Sequence, residues 1–449
     1  MIKDLPHGYR FLRRFVRFWI NRFFSRIEIH GARNIPDGAA IFAMNHPNNL
    51  IDSLIISYAI ERKIHYLATS QMFRNKLLAL FLHNAGVIPV YRKQDDPAHS
   101  EKNVATFQAC YDVLNAQGTI GIYPEGTTHS EPRVKEIKTG AARIALETEL
   151  QYSAGVKIVP VGLNFSARKS FRGDVLVNIG APIDTAFYMT HYRNDPVGAV
   201  DQLTSDLQDA MEKEVLHIDA PELDQLVKDI EEIYKGELIR DLIEIGHKPG
   251  EVNSFRLSQK LVEGIHFFNK REPARLLKIQ EDVRNYNNRL RKAHLQDRLL
   301  REIDHRPGPV LMRILLLLTG FPLALWGGVN HFLPYKLTRL ISRKFAKKET
   351  DYATTRILSG ILLYSIFYAV QIYWVLQRFG MIAGLVYGGT LPVSGAFAYY
   401  YSDRFKASMG NLQLYRLMLT RSQLLNQLKQ KREQLIAGMD RAKDDYLNQ

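Results

Sequence analysis

A single cysteine, Cys110, occurs in the 449 residues. An intrachain disulfide and a cysteine-built zinc site are therefore excluded. The scarcity of cysteine suits a catalytic part in a reducing compartment. No internal repeat, low-complexity tract, metal-ligand cluster or nucleic-acid recognition motif stands out, so no metal is expected. The N-terminus has no uninterrupted apolar run and no small-residue cleavage site, because arginines interrupt it, so an ordinary secretory signal is not expected. Acidic residues are also in deficit: 46 Asp and Glu face 60 Lys and Arg, a formal charge of +14. Such an excess fits a polyanionic surface, either nucleic acid or an anionic membrane. Much of the basic charge lies beside long apolar runs, so membrane lipids are the expected partner and nucleic acid is not.

What is present begins with an amphipathic pattern over Gly8–Arg26. Phe11, Leu12, Phe15, Val16, Phe18, Trp19, Ile20, Phe23 and Phe24 recur at near-helical spacing, with Arg10, Arg13, Arg14, Arg17 and Arg22 between them. Arginine stems can snorkel while the aromatics enter the headgroup boundary, so residues 1–26 are expected to lie in a membrane surface. The plainer alternative is a helix packed on the domain with a solvated basic face.

From about Arg26 to Asp184 strand-like apolar runs alternate with helical segments. The runs are Ala39–Met44, Gly86–Tyr91, Thr119–Tyr123, Lys157–Phe165 and Val175–Ile179. The helices are Leu50–Ile60, Asn103–Ala116 and Thr139–Leu150. This alternation predicts an α/β domain over residues 27–186, a mixed, largely parallel sheet flanked by helices. Chemistry in such sheets is expected in the loops at strand ends.

Residues 187–308 are charged and helical in pattern and carry no visible chemistry. Residues 309–401 change character. Val310–Leu333 is apolar but interrupted by Arg313, Gly320, Pro322, Gly327, Gly328 and His331. Ile357–Leu376 and Met381–Tyr401 are each long enough to span a bilayer and read as a transmembrane hairpin. Lys336, Arg339, Arg343, Lys344, Lys347 and Lys348 precede it, and Arg404, Lys406, Arg416 and Arg421 follow it. The positive-inside rule puts both flanks in the cytoplasm. With a cytoplasmic catalytic domain, the first apolar run must then turn back, and the bend is expected near Gly320–Pro322. Residues 402–449 read as a cytoplasmic helix.

Four short blocks carry the chemistry. Asn45-His46-Pro47-Asn48-Asn49-Leu50-Ile51-Asp52 follows an apolar strand and opens a helix. A carboxylate near the helix start can fix an imidazole tautomer and favour its charged form, a general-base pair. A capped helix with Asp52 near its positive end is the ordinary alternative. Gly86-Val87-Ile88-Pro89-Val90-Tyr91-Arg92-Lys93 ends in two cations suited to a phosphate, or simply solvated. Tyr123-Pro124-Glu125-Gly126-Thr127-Thr128-His129-Ser130 leaves a strand through a glycine that permits close backbone approach, and could be an ordinary turn. Ile158-Val159-Pro160-Val161-Gly162 would otherwise pass as core strand. Cys110, mid-helix among apolar residues, reads as a buried thiol rather than an acyl carrier.

In this order and spacing the four blocks resemble those of the glycerolipid acyltransferases, over about Ile27 to Pro182, roughly a third of the chain. The resemblance implies an acyltransferase in which His46 is the base and Asp52 its partner. It implies that Arg92, Glu125, Gly126 and Thr127 hold a glycerol-phosphate acceptor, and that Val159 and Pro160 shape the side of the acyl-thioester donor. That donor, acyl-CoA or acyl carrier protein, is a co-substrate, and no other cofactor is expected. Two departures stand out. The family's common spacing leaves four residues between His and Asp, whereas five lie between His46 and Asp52. The arginine that commonly follows Pro-Glu-Gly-Thr is replaced by Thr128 and His129, so Arg133, Lys135 or Lys138 is expected to supply the charge. Both departures are similar to a divergent branch that includes fungal-type glycerol-3-phosphate/dihydroxyacetone-phosphate acyltransferases. The resemblance therefore implies a first acylation in phosphatidic acid synthesis. The alternatives are a lysophosphatidic acid or other lysophospholipid acceptor, and a non-catalytic lipid-binding scaffold.

Overall fold

The computed structural model describes residues 7–91, 103–165, 173–216, 218, 221–248, 253–301, 308–346 and 348–448. Side chains of 7–12, 77, 221 and 308–314 are not described. The chain divides into two compact units, one of residues 1–219 with 341–358, the other of 220–340 with 359–449.

The first unit is built on eight strands: β1 (Arg26–His30), β2 (Ala40–Met44), β3 (Ile64–Thr69), β4 (Ile88–Val90), β5 (Thr119–Ile122), β6 (Lys157–Phe165), β7 (Asp174–Ile179) and β8 (Ile183–Asp184). They form one sheet in the order β1-β7-β6-β2-β5-β3-β4, with β8 beside β6. β2 pairs in parallel with both β5 and β6, and β3 with β5 and β4. Only the β6–β7 and β6–β8 pairings are antiparallel. The mixed, largely parallel sheet expected from the sequence is therefore the one observed.

β2 is at the centre because both its faces are apolar. Ile41 and Ala43 enter the core on one side, with Cys110, Leu114, Ala141, Ala145, Leu203 and Leu207. Ala40, Phe42 and Met44 enter the opposite core, with Ile20, Phe23, Ile51, Ile55 and Ile56. A strand covered on both faces reads as a continuous apolar run, not an alternation. Helices α1 (His7–Phe23) and α2 (Leu50–Ala59) thus cover one face. Helices α4 (Asn103–Asn115), α5 (Gly140–Tyr152) and α7 (Pro196–Glu214) cover the other. The short α3 (Lys76–Asn84) and α6 (Met189–Asn194) complete the unit.

α1 has two unlike faces. Ile20 and Phe23 are buried on the sheet, and Arg13 and Arg17 reach Glu61 at 3.7 and 3.6 Å. Phe15, Phe18 and Trp19 remain exposed and cluster edge-to-face. Phe11, Leu12 and Arg10 of the expected pattern lie outside the described side chains.

Cys110 is fully buried, and burial pushes its thiol up to about 12. A thiol this far from ionisation is a poor nucleophile. Native protein at pH 8 should resist a maleimide and react fully once denatured. Rapid native labelling would contradict this burial.

In the second unit, α8 (Asp224–Glu244), α9 (Ser254–Arg271), α10 (Pro273–Lys292), α11 (Asp297–Arg301) and α15 (Ser422–Leu447) form a helical bundle. Its buried Arg432 bonds Glu237 at 2.8 Å and Asp297 at 2.9 Å, and the Tyr286 hydroxyl donates to Asp297. A buried charge needs such pairing to be tolerated.

Three further helices, α12 (Gly308–Phe345), α13 (Tyr352–Phe379) and α14 (Met381–Thr420), are long and apolar enough to cross a membrane. Many of their large apolar side chains, among them Leu318, Leu362 and Ile382, are exposed. A surface this apolar requires a lipid environment. α13 and α14 form the expected hairpin, turning at Gly380 with φ 85°.

Gly320–Pro322, where a bend is expected, lies inside α12, which is helical through Pro322 and Pro334. In the turn before Pro322, the Tyr401 hydroxyl donates to the Leu317 carbonyl. Along its length α12 touches both helices of the hairpin. Near its start, Leu317 meets Tyr401; near its end, Thr338 lies beside Gly360. Both positions are about 20 residues, roughly 30 Å of helix, from the Gly380 turn. Between them Asn330 bonds Gln371 and Tyr387, much closer to that turn.

Candidate active site

Parallel pairing decides where the motifs meet. β2 and β5 run side by side in register, Ala43 opposite Ile122, so the chain leaves both strands at the same edge of the sheet. His46 follows β2 by two residues, and Tyr123-Pro124-Glu125-Gly126 follows β5 directly. β4 points to the same edge through β3, so Tyr91 emerges there as well. Arg92 and Lys93 lie outside the described residues.

Asn45 anchors the end of β2. Its amide donates to the Leu163 carbonyl at 3.1 Å and accepts from the Leu163 N–H at 2.7 Å. One residue on, His46 Nδ1 lies 2.9 Å from Asp52 Oδ2. The same carboxylate oxygen accepts the Asn48 N–H at 2.7 Å. Asp52 has no exposure and His46 keeps 16% of its side chain open. A buried carboxylate facing Nδ1 holds that nitrogen protonated and leaves Nε2 as the basic one. No hydrogen bond occupies Nε2 among the described residues. The imidazole also stacks on Tyr123, with ring centroids 3.8 Å apart and planes 15° apart. The ring is therefore fixed in both tautomer and plane.

Tyr123 is itself held by Ser53, whose hydroxyl lies 2.8 Å from the phenol. Burial, and then the negative charge of Asp52, push the phenol well above its ordinary pKa. It remains a neutral platform and does not compete with His46 for a proton.

The five-residue spacer is absorbed as expected before the helix begins. Pro47–Asn49 are non-helical and α2 starts at Leu50. The turn is completed by Asn49, at φ 53° and ψ −131°, a conformation L-residues rarely adopt.

Glu125 is buried, with one oxygen bonded to His129 Nε2 and to the Lys135 N–H at 3.1 Å. The His129 N–H in turn donates to the His46 carbonyl at 3.4 Å, joining the two loops. His129 was not among the residues singled out from the sequence. Its signal was available in its four-residue spacing from Glu125, but only folding shows that the carboxylate turns inward to meet it. Gly126 has φ 68°, and a Cβ there would lie 2.9 Å from Lys138 Nζ. Thr127 is exposed beside it.

The expected cations separate. Arg133 pairs with Glu131 through Nε at 2.8 Å and Nη2 at 2.6 Å, and Lys135 pairs with the same carboxylate at 2.6 Å. Lys138 is exposed beside Gly126 with no ion pair among the described residues. Val159 and Pro160 lie within β6, opposite Phe42 and Ala43, and both are buried. They back the strand that delivers His46.

A fixed imidazole with a buried carboxylate behind it, at the strand ends of an α/β sheet, is an arrangement suited to a general base. Residues 26–164 match the family model described as Acyltransferase. With the relatives below, this segment is similar to the glycerolipid acyltransferases. The chain is 27% identical over 199 residues to glycerol-3-phosphate O-acyltransferase 2 of Saccharomyces cerevisiae, covering 43% of this chain and 25% of that protein. It is 26% identical over 259 residues to glycerol-3-phosphate O-acyltransferase 1 of the same yeast, covering 56% and 33%. A 1-acyl-sn-glycerol-3-phosphate acyltransferase of Borreliella burgdorferi is 27% identical over 158 residues, covering 35% and 58%. The chain thus spans a quarter to a third of the yeast relatives it matches. The crystal structure of the 1-acyl-sn-glycerophosphate acyltransferase PlsC from Thermotoga maritima aligns with TM-score 0.35 at 16% identity, covering 47% of this chain and 83% of that one.

Proposed function

We propose that this chain is a membrane-bound O-acyltransferase that transfers a fatty acyl group from a thioester to glycerol 3-phosphate or dihydroxyacetone phosphate. The observation that carries this reading is the His46–Asp52 pair, with Nδ1 held at 2.9 Å and no hydrogen bond on Nε2 among the described residues. Nε2 takes the proton of the acceptor hydroxyl as its oxygen attacks the thioester carbonyl. Asp52 stabilises the imidazolium that forms. When the tetrahedral intermediate collapses, the carbon–sulfur bond breaks and the imidazolium returns its proton to the departing thiolate. Lys138, beside Gly126 and without an ion pair among the described residues, supplies positive charge for the acceptor phosphate. The yeast relatives' named activity and the five-residue spacer favour the first acylation.

The test is acyl transfer by purified protein in lipid, with labelled glycerol 3-phosphate and lysophosphatidic acid supplied side by side. Glycerol 3-phosphate is expected to be acylated preferentially. Preference for lysophosphatidic acid would change the acceptor, and no transfer to either would leave a lipid-binding scaffold. Lys138→Ala is expected to raise the KM for the phosphate acceptor about tenfold, consistent with loss of a charge-assisted contact. An unchanged KM would remove Lys138 from that role.

For membrane placement, α13 and α14 are the spanning pair, and α12 is a re-entrant or shallow segment that bends back near Gly320–Pro322. Its basic flank and the catalytic domain then share the cytoplasmic face, in keeping with the positive-inside rule. In a Cys110→Ala background, Lys344→Cys in intact cells should be protected from an impermeant maleimide, while Arg378→Cys at the hairpin tip should react. External labelling at position 344 would refute this topology.

A further inference from the structure

Asn49 turns its side chain away from the helix it precedes, making no cap hydrogen bond there. Its amide donates instead to Asp351 Oδ1 at 2.9 Å, across 302 residues of sequence. Asp351 belongs to the short turn Glu349–Asp351 between α12 and α13, and its Oδ2 accepts the Lys348 N–H at 3.3 Å. Three residues later the Thr354 hydroxyl donates to the Asn48 carbonyl at 3.4 Å. This segment is seated firmly: Thr350 and Ala353 are buried, and Ala353 joins the core that holds Ile51 and Ile55.

The loop that joins His46 to Asp52 is therefore held from two sides. The Asn48 N–H is on Asp52, while the Asn48 carbonyl and the Asn49 side chain are on the segment ahead of the hairpin. The held residue, Asn49, is the one with φ 53°. A conformation that costs free energy persists only where its surroundings impose it. Every motif of the catalytic residues lies before residue 164, so nothing in their spacing points to a contribution from beyond residue 340.

We infer that Asp351 is a positioning residue for the catalytic pair: it holds Asn49 in its left-handed turn and so sets the approach of His46 to Asp52. The inference rests on the acyl-transfer reading for its effect on turnover, though not for its effect on the loop. It makes catalysis depend on the chain between the first apolar helix and the hairpin.

Glycine provides the test, because it adopts φ near 53° without a tether. Asp351→Ala should lower kcat about 10- to 100-fold while leaving both KM values within about twofold, the pattern of a displaced catalytic group. The same substitution in an Asn49→Gly background should cost less than about threefold, measured against Asn49→Gly alone. Hydrogen exchange of a peptide spanning residues 45–52 should accelerate with Asp351→Ala and not with the pair. Equal losses in both backgrounds would mean that Asp351 serves only its own turn at Lys348, and would overturn the inference. So would unchanged exchange of that peptide in Asp351→Ala. If wild-type protein transfers no acyl group, the proposed function fails, while the exchange experiment still decides the tether.

Discussion

His46→Ala is expected to abolish acyl transfer, lowering kcat by at least about a thousandfold, with the protein still folded and in the membrane. The size follows from what the residue does. A positioned general base is worth about 10²–10⁴ in rate, and the two neighbouring groups described beside it, Tyr123 and His129, are not ready to replace it. Tyr123, stacked on the imidazole, is held neutral by burial and by the charge of Asp52. His129 is engaged by Glu125. Folding should survive because His46 sits at the strand end with part of its side chain open, outside both apolar cores. Activity, thermal unfolding and membrane fractionation of the variant separate chemistry from structure. Turnover within tenfold of wild type would remove His46 from the base role.

Asp52→Asn should cost nearly as much, about 10²–10³ in kcat, with a smaller change in KM. The amide is nearly isosteric but carries no charge to stabilise the imidazolium, and its NH2 group can meet Nδ1 only if the ring changes tautomer. That change would put the proton on Nε2, where the acceptor hydroxyl must deliver its own. Asp52→Ala should in addition destabilise the fold by about 1–3 kcal/mol, because the Asn48 N–H and His46 Nδ1 lose their shared partner in a buried site. Comparing the two variants by denaturation and by turnover divides the charge effect from the packing effect. If Asp52→Asn keeps wild-type kcat, the carboxylate is structural only.

The parts of the fold legible in the sequence are those buried on both sides. Ala40–Met44, Thr119–Ile122 and Lys157–Phe165 announced themselves as apolar runs because helices cover both faces of the sheet there. β1 and β3 did not. Arg-Ile-Glu-Ile-His is an edge strand paired on one side only, and Ile-His-Tyr-Leu-Ala-Thr is mostly half-buried. Strands in such positions tolerate polar residues, so their pattern fades into that of loops. The apolar run before the hairpin is legible as membrane-seeking, but its contacts are not: only the fold sets Asn330 against Gln371 and Tyr387.

At the site, sequence alone singled out His46, Asp52, Glu125 and Gly126, because chemistry restricts which side chains can serve and the blocks keep their order. It could not tell which of several cations was spoken for. Arg133, Lys135 and Lys138 look alike in sequence, and only the fold pairs the first two with Glu131. Nor could it show the partner of Glu125, the stacking of Tyr123, or the hold of Asp351 on Asn49. The physical reason is the same in each case. Residue type and short-range spacing fix what a segment can do, but a hydrogen bond across 302 residues exists only once packing has brought its ends together.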